Sequence, residues 1–371
     1  MKKRSLLLLM ALSCTLVLAG CGSKKEPEVT TTEEEPVIQI GEDTASEDTV
    51  SASAVEEETR EGMYRSELTN EWTDEAIQRQ RPIAVMIDNE KTALPHYGMN
   101  QADVVYEMTN STQNEGVTRF MAIVKDWGNI EQLGSIRSVR PTNLQIAPEW
   151  NAVVCHDGGP FYIDIFLKND FVKHFSGTFS RVNNGKAREF TEYILPGDLD
   201  KNFSDTGIST EYDEYYVEGP HYQFASESNP VDLSSNADAK ACTHVELPFH
   251  HNNPYLDYDE SDGLYYYSEY GDAHNDPGDD NKQMSFKNLL IQSAELEQFD
   301  EHGYMMFYSV ASDREGYYIT NGQIIPVTWT KIDDLNPTRY YDKSGNEITI
   351  NTGKTYVAIV PEDDFKDLSY N

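Results

Sequence analysis

Two short stretches gather the side chains best suited to chemistry. "GSIRSVRP", residues 134–141, sets Arg137 and Arg140 around Ser138 and stops at Pro141. "CHDGGP", residues 155–160, places His156 between Cys155 and Asp157 and follows it with Gly158 and Gly159. Guanidinium groups bind carboxylates and phosphates through paired N–H donors, and glycines let a backbone approach a ligand closely. A serine and a histidine can hydrolyse an acyl bond when the ring reaches the hydroxyl and a third group orients it. Two readings follow. In the first, Arg137 and Arg140 hold an anion. In the second, Ser138 is a nucleophile, His156 its base, and Asp157 or Asp88 the orienting acid.

Both readings have plain competitors. Ser138 lacks the Gly-x-Ser-x-Gly elbow that exposes a hydrolase serine. Cys155 and His156 are strand neighbours and point to opposite faces. In a chain of net charge −35, arginines are commonly satisfied by their own carboxylates. Asp88, Glu107 and Glu115 are candidates, and Glu115 lies four residues before Arg119.

The elements around these stretches decide how they are presented. "PIAVMID", "ADVVYEM" and "TRFMAIVKD" are short apolar runs bounded by polar turns and read as strands. "GSI" into Arg137 reads as a fourth, and "NAVVCH" as a fifth that is buried on both faces. "PTNLQIAPEW" reads as a short helix that Pro148 limits. "PFYIDIFLKND" reads as a second, with Phe161, Ile165 and Phe166 on one face; proline suits a first helical position. Each reactive stretch is then a strand-to-helix junction. If the two strands run parallel, both junctions open at one sheet edge, where α/β sheets bind ligands. Helix N-termini there would add partial positive charge.

The chain around this segment is uneven. Lys2, Lys3 and Arg4 precede the apolar run "SLLLLMALSCTLVLAG", which ends at Cys21. A basic head and a short apolar core are a secretory signal, here residues 1–20. "LAGC" resembles the bacterial lipobox, in which Cys21 carries the lipid. Two or more acyl chains hold a protein stably on a bilayer, which places the chain on the extracytoplasmic face of the cell membrane. Residues 21–62, rich in Glu, Thr and Ser, bury too little to fold and read as an acidic tether. Its reach as a coil is roughly 35 Å.

Residues 81–188 hold eleven Lys plus Arg against eleven Asp plus Glu. The excess acid falls mainly after them, a balance that suggests separate regions and argues against nucleic acid as a partner. Residues 63–197 read as an N-terminal α/β domain and 198–254 as an acidic connection. Residues 255–371 read as a C-terminal domain of mostly antiparallel strands, with "SDG", "NG" and "SGN" as hairpin turns.

Neither a cofactor nor a metal is expected. There is no Walker loop, no Cys-x-x-Cys and no His-Glu-x-x-His. The acidic stretches "DYDESDG" and "HNDPGDDN" read as turns, since the first fails the calcium-loop spacing at its glycine and its final glutamate. Cys155 and Cys242 form either one disulfide or two buried thiols.

"RPIAVMIDN", "GMNQADVVYEM", "NEGVTRFMAIV", "LGSIRSVRP" and "AVVCHDGG" stand in the order and spacing of the YerB-like bacterial lipoproteins. "FKNLLIQ", "NGQIIPVTWTK" and "YYDKSGNEITINTGKTYVAIVP" resemble that family's C-terminal strands. The resemblance implies a layered α/β sandwich, a surface anchor in mostly Gram-positive bacteria, and no established activity. Its recurrent polar positions fall on Asp88, Asn89, Glu107, Glu115, Gly116, Thr118, Arg119, Arg137, Ser138, Arg140, Pro141, His156, Gly158 and Arg181. The family's Pro-His-Asn after the last of these is replaced by "NNGKAREFTEYI". The combined expectation is a lipid-anchored module binding an anionic ligand or an envelope protein, with an envelope hydrolase at the same edge as the alternative.

Overall fold

The run Ile83–Asp88 has no polar position before its last residue, so only a strand covered on both faces can bury it. It is strand β1, and every residue of it is buried, Asp88 included. The computed structural model describes residues 59–371. Cys21, the signal segment and nearly all of the tether lie outside the described residues. No helix among the described residues is long and apolar enough to cross a membrane.

An eleven-stranded mixed sheet organises the fold. It contains β1, β2 (Val104–Thr109), β3 (Thr118–Val124), β4 (Val153–His156) and β5 (Lys173–Ser176). From later in the chain come β6 (Lys240–Ala241), β7 (Asn288–Ala294), β8 (Ala311–Thr320), β9 (Gln323–Lys331), β10 (Arg339–Tyr341) and β11 (Thr355–Pro361). The order is β6-β9-β8-β7-β11-β2-β3-β1-β4-β5, with β10 also on β9. Sequence-distant β11 lies between β2 and β7 and runs parallel to both, so the sheet is continuous across both halves of the chain.

Strand alternation sends side chains to two cores. Ile83, Val85 and Ile87 join one cluster and Ala84 and Met86 the other. The first face is covered by helix Asp198–Thr206, through Leu199 and Phe203, and by a second, antiparallel sheet. That sheet includes strands Tyr255–Asp259 and Leu264–Glu269, which contribute Leu256, Tyr265 and Tyr267. The opposite face packs on Leu144, Ile146, Trp150, Tyr222 and Phe307.

The molecule is therefore mostly β, and the expected layered α/β sandwich is corrected. Among the described residues only Pro141–Ile146 and Asp198–Thr206 are α-helices. "PFYIDIFLKND" forms a single 3-10 stretch, Phe161–Ile165. Phe161 and Ile165 are exposed, whereas Ile163 is buried and Phe166 packs partly against the core, so the three expected residues do not form one apolar face. Strands and loops from the second half fill the layer that helices were expected to supply. The fourth expected strand is reduced to Leu133–Gly134. It lies outside the large sheet, paired to Glu192–Ile194.

Both acidic stretches are turns. Asp259 and Asp262 accept from the amides of Ser261 and Leu264. Buried Asp276 accepts from the amides of Gly98, Asn100 and Gly278. Cys155 and Cys242 are both free and buried.

Candidate functional site

β1, β2, β4, β5, β7 and β11 all end at the same edge, because each runs parallel to a neighbour or is separated from it by the antiparallel β3. Asp88, the last residue of β1, is registered against Arg119 at the start of β3. The two junctions meet here, but not as ends of two parallel strands in one sheet, since Leu133–Gly134 lies outside it; backbone bonds join them. Val139 N donates to Gly158 O (3.1 Å), and Asp157 N donates to Arg137 O (3.0 Å). The expected helix-end sites do not form. Pro141–Ile146 is only six residues long, and the second junction enters the 3-10 stretch.

Three arginines converge on this edge. Arg137 Nε donates to Asp88 Oδ2 at 2.5 Å, and its Nη2 lies 3.3 Å from the exposed Glu189 carboxylate. Arg119 Nη2 is 3.8 Å from Asp88, while its Nη1 donates to Asn110 Oδ1 (2.7 Å) and Ser138 O (2.8 Å). Arg140 has no ion pair among the described residues. Its Nη1 donates to Val139 O (3.0 Å) and its guanidinium lies over the Tyr304 ring at 4.1 Å. Nε of both Arg119 and Arg140 is buried with no acceptor. Burial, followed for Arg119 by the neighbouring arginines against Asp88, lowers Arg119 to about 9. Burial lowers Arg140 to about 10. Arg137 is the accessible member, its side chain 23% exposed.

The remaining expected residues divide. Arg181 Nη2 pairs with Asp157 (2.8 Å) and with buried Glu192. Gly158 adopts a left-handed φ of +71° beside Ser138. A Cβ on Gly159 would sit 2.4 Å from Ile163 Cδ1 and 3.1 Å from Val139 O, so any larger residue there must displace Ile163. Glu115 is exposed in a left-handed turn and, with Gly116, lines a different, largely apolar cavity of about 480 Å³ with Phe249. It is not the partner of Arg119.

Ser138 and His156 are not coupled. Ser138 Oγ donates to Asp157 O at 2.9 Å. His156 Nδ1 bonds Gly158 O (2.8 Å) and its Nε2 bonds His174 Nδ1 (3.1 Å). A carbonyl only accepts, so Nδ1 carries the proton and Nε2 accepts from His174. Burial pushes His156 down to about 4. The lone pair a base would use is already engaged.

Behind the arginines lies a buried polar network whose extent the sequence did not reveal. Asn89 Nδ2 donates to Glu107 Oε1 at 3.2 Å. Glu107 also accepts from Thr118 (2.8 Å), Asn252 (2.7 Å), Tyr267 (2.9 Å) and Tyr356 (2.6 Å). Asn252 Nδ2 reaches on to Glu269 Oε2 at 3.0 Å. Burial, then Glu269, pushes Glu107 up to about 7 against these donors. Glu269 Oε1 in turn lies 2.8 Å from His274 Nδ1, and the His274 and His96 ring centroids are 5.0 Å apart. Asp88 and Asn89 join the two regions, since Asp88 O accepts from His96 Nε2 at 2.5 Å and Asn89 O from Tyr270 Oη at 2.6 Å. Glu269 and His274 are five residues apart in a tyrosine-rich hairpin. His96 is distant and isolated, so no spacing signal could have joined them.

Comparison with known proteins places this architecture. Residues 68–209 match the family model described as "Protein of unknown function (DUF3048) N-terminal domain", and residues 245–357 match the corresponding C-terminal domain. The chain belongs to the YerB-like family. A relative in this family, "Putative lipoprotein YerB" of Bacillus subtilis (strain 168), is 24% identical over 319 residues, covering 82% of this chain and 88% of the relative. The crystal structure of the YerB protein from Bacillus subtilis superposes with a TM-score of 0.70 at 21% identity. It covers 83% of this chain and 99% of that one. The YerB-like fold thus spans both family segments, and β11 of the second lies beside β2 of the first.

Proposed function

We propose that this YerB-like protein is held by lipid on Cys21 at the extracytoplasmic face of the cell membrane. There it binds an anionic group of a small ligand or envelope protein at the edge carrying Arg119, Arg137 and Arg140. The observation that carries the reading is the imbalance at that edge. Arg119 and Arg137 share one buried carboxylate, Asp88, with only the exposed Glu189 beside Arg137, and Arg140 rests on an aromatic ring rather than an acid. Such an excess of buried positive charge is costly unless an anion offsets it. Arg137 is the group an incoming anion would meet, by displacing the exposed Glu189. Arg119 and Arg140 behind it would deepen the local potential. The engaged lone pair of His156 speaks against the hydrolase alternative.

The test is calorimetric titration of the full chain with inorganic phosphate and with a tricarboxylate, at low ionic strength. Binding that Arg137→Gln weakens at least tenfold, and Glu189→Gln strengthens, supports the reading. Equal affinity in both variants, or no heat in any, ends it.

A further inference from the structure

Two buried imidazoles face each other with an empty nitrogen each. His96 Nε2 bonds the Asp88 carbonyl at 2.5 Å, so that nitrogen carries the proton and Nδ1 keeps a lone pair. His274 Nδ1 bonds the Glu269 carboxylate at 2.8 Å, which leaves Nε2 as its second nitrogen. Both His96 Nδ1 and His274 Nε2 are buried without a hydrogen-bond partner. The two residues are 0% and 4% exposed. One donor atom from each of His96, Glu269 and His274 lies within 4.8 Å of the others. His274 and Glu269 also form part of the wall of a cavity of about 340 Å³.

We propose that His96, His274 and Glu269 bind a divalent transition-metal ion of the zinc class, with a coordination position open to that cavity. Metal-bound histidines are oriented by a carbonyl or carboxylate on their other ring nitrogen, and the Asp88 carbonyl holds His96 in that way; as a ligand, Glu269 exchanges its bond to His274 Nδ1 for the metal. Mixed imidazole and carboxylate donors suit zinc and its neighbours, whereas calcium and magnesium take oxygen ligands. The charge fits as well. Glu107 and Glu269 are buried carboxylates bridged by Asn252 and Tyr267, and a dication beside them offsets that charge. Zinc–ligand bonds of about 2.0–2.2 Å require donors roughly 3.3 Å apart. Binding therefore draws the most widely separated donors together by up to roughly 1.5 Å. The site touches the arginine edge only through Asp88 and does not depend on an anion binding there.

The test uses the untagged full chain, stripped with chelator and titrated with Zn²⁺, Co²⁺ or Ca²⁺. One Zn²⁺ per chain, a raised melting temperature with Zn²⁺ but not Ca²⁺, and visible Co²⁺ absorption bands are expected. His96→Gln and His274→Gln should each weaken Zn²⁺ binding at least 100-fold, and Glu269→Gln 10- to 100-fold. The exposed cluster of His244 with Asp257 and Glu246 is the control for adventitious surface binding. Loss of binding in His244→Gln, or undiminished binding in a folded His96→Gln, overturns the proposal. Should the histidine variants fail to fold, the wild-type Co²⁺ spectrum decides. Octahedral, weakly absorbing Co²⁺ or no bound Co²⁺ overturns it, and intense four- or five-coordinate bands uphold it.

Discussion

The Asp88 carboxylate accepts a hydrogen bond from Arg137 Nε at 2.5 Å, while its backbone carbonyl accepts from His96 Nε2. One residue at the end of β1 thus ties the arginine edge to the buried histidine pair. Its side chain is fully buried and also faces Arg119 at 3.8 Å.

That arrangement predicts unequal costs for its two halves. Asp88→Asn leaves Arg119 buried without a carboxylate and should destabilise the fold by about 3–5 kcal/mol. Arg137→Gln leaves Asp88 with Arg119 and removes a partly exposed cation, so about 1 kcal/mol is expected. Urea denaturation of the two variants checks the order. Equal losses would mean that Arg119 does not depend on Asp88.

The arginine edge was legible because it follows from strand ends. Asp88 ends one apolar run and Arg119 opens the next, antiparallel one, so the two must meet; Ser138 reaches the same edge on irregular chain held by the Val139–Gly158 and Asp157–Arg137 backbone bonds. The helices were less legible. Phe161, Ile165 and Phe166 have helical spacing, but the sheet face they would have covered is shared with Leu144, Trp150, Tyr222 and Phe307, two of them from distant chain. A local pattern carries no information about that competition. The same distance hides the histidine pair. His96 lies in a turn without periodic neighbours, and only the placement of the second sheet on the first brings His274 to it.

Glu107 gives the interior a pH dependence. Its carboxyl is pushed up to about 7 from an ordinary 4.5 by burial and by Glu269. Below about pH 4.5 the folded and unfolded states are both protonated, and its contribution is fully present. As the pH rises the unfolded chain ionises first, so stability is lost up to about pH 7 and is flat above it. Glu107→Gln does not titrate. Wild-type stability relative to this variant should therefore fall by about 3 kcal/mol between pH 4.5 and 7.5. A difference that rises with pH would show that the five hydrogen-bond donors outweigh burial. Glu269→Gln should flatten the slope.

A second buried pair holds the opposite face. Lys331 Nζ donates to Glu149 Oε2 at 2.8 Å, with both side chains at most 1% exposed. Tyr106 Oη (2.8 Å) and the Thr338 amide (3.0 Å) and hydroxyl (2.8 Å) complete the Glu149 shell. Lys331→Met removes the only cation bonded to Glu149 among the described residues and should cost about 3–5 kcal/mol. Lys331→Met combined with Glu149→Gln should recover part of that loss. Chemical denaturation of the single and double variants measures the coupling, and additive losses would deny it.

The anchor is separable from all of this chemistry. Cys21 follows "LAG" at the end of the apolar run and stands some forty residues before the first described strand, Met63–Arg65. Lipid on that sulfur would hold the protein on the bilayer, whereas no helix among the described residues is long and apolar enough to cross a membrane. In Cys21→Ser the thiol proposed to accept the lipid is gone, and a lipoprotein signal peptidase would have no modified cysteine to cut before. The wild type should partition with the membrane fraction and incorporate labelled fatty acid. The variant should incorporate none, and any chain cut by another signal peptidase should be released in soluble, folded form. Label retained in Cys21→Ser would place the lipid elsewhere. A processed variant that stays on the membrane without label would mean that the folded part itself binds a membrane partner.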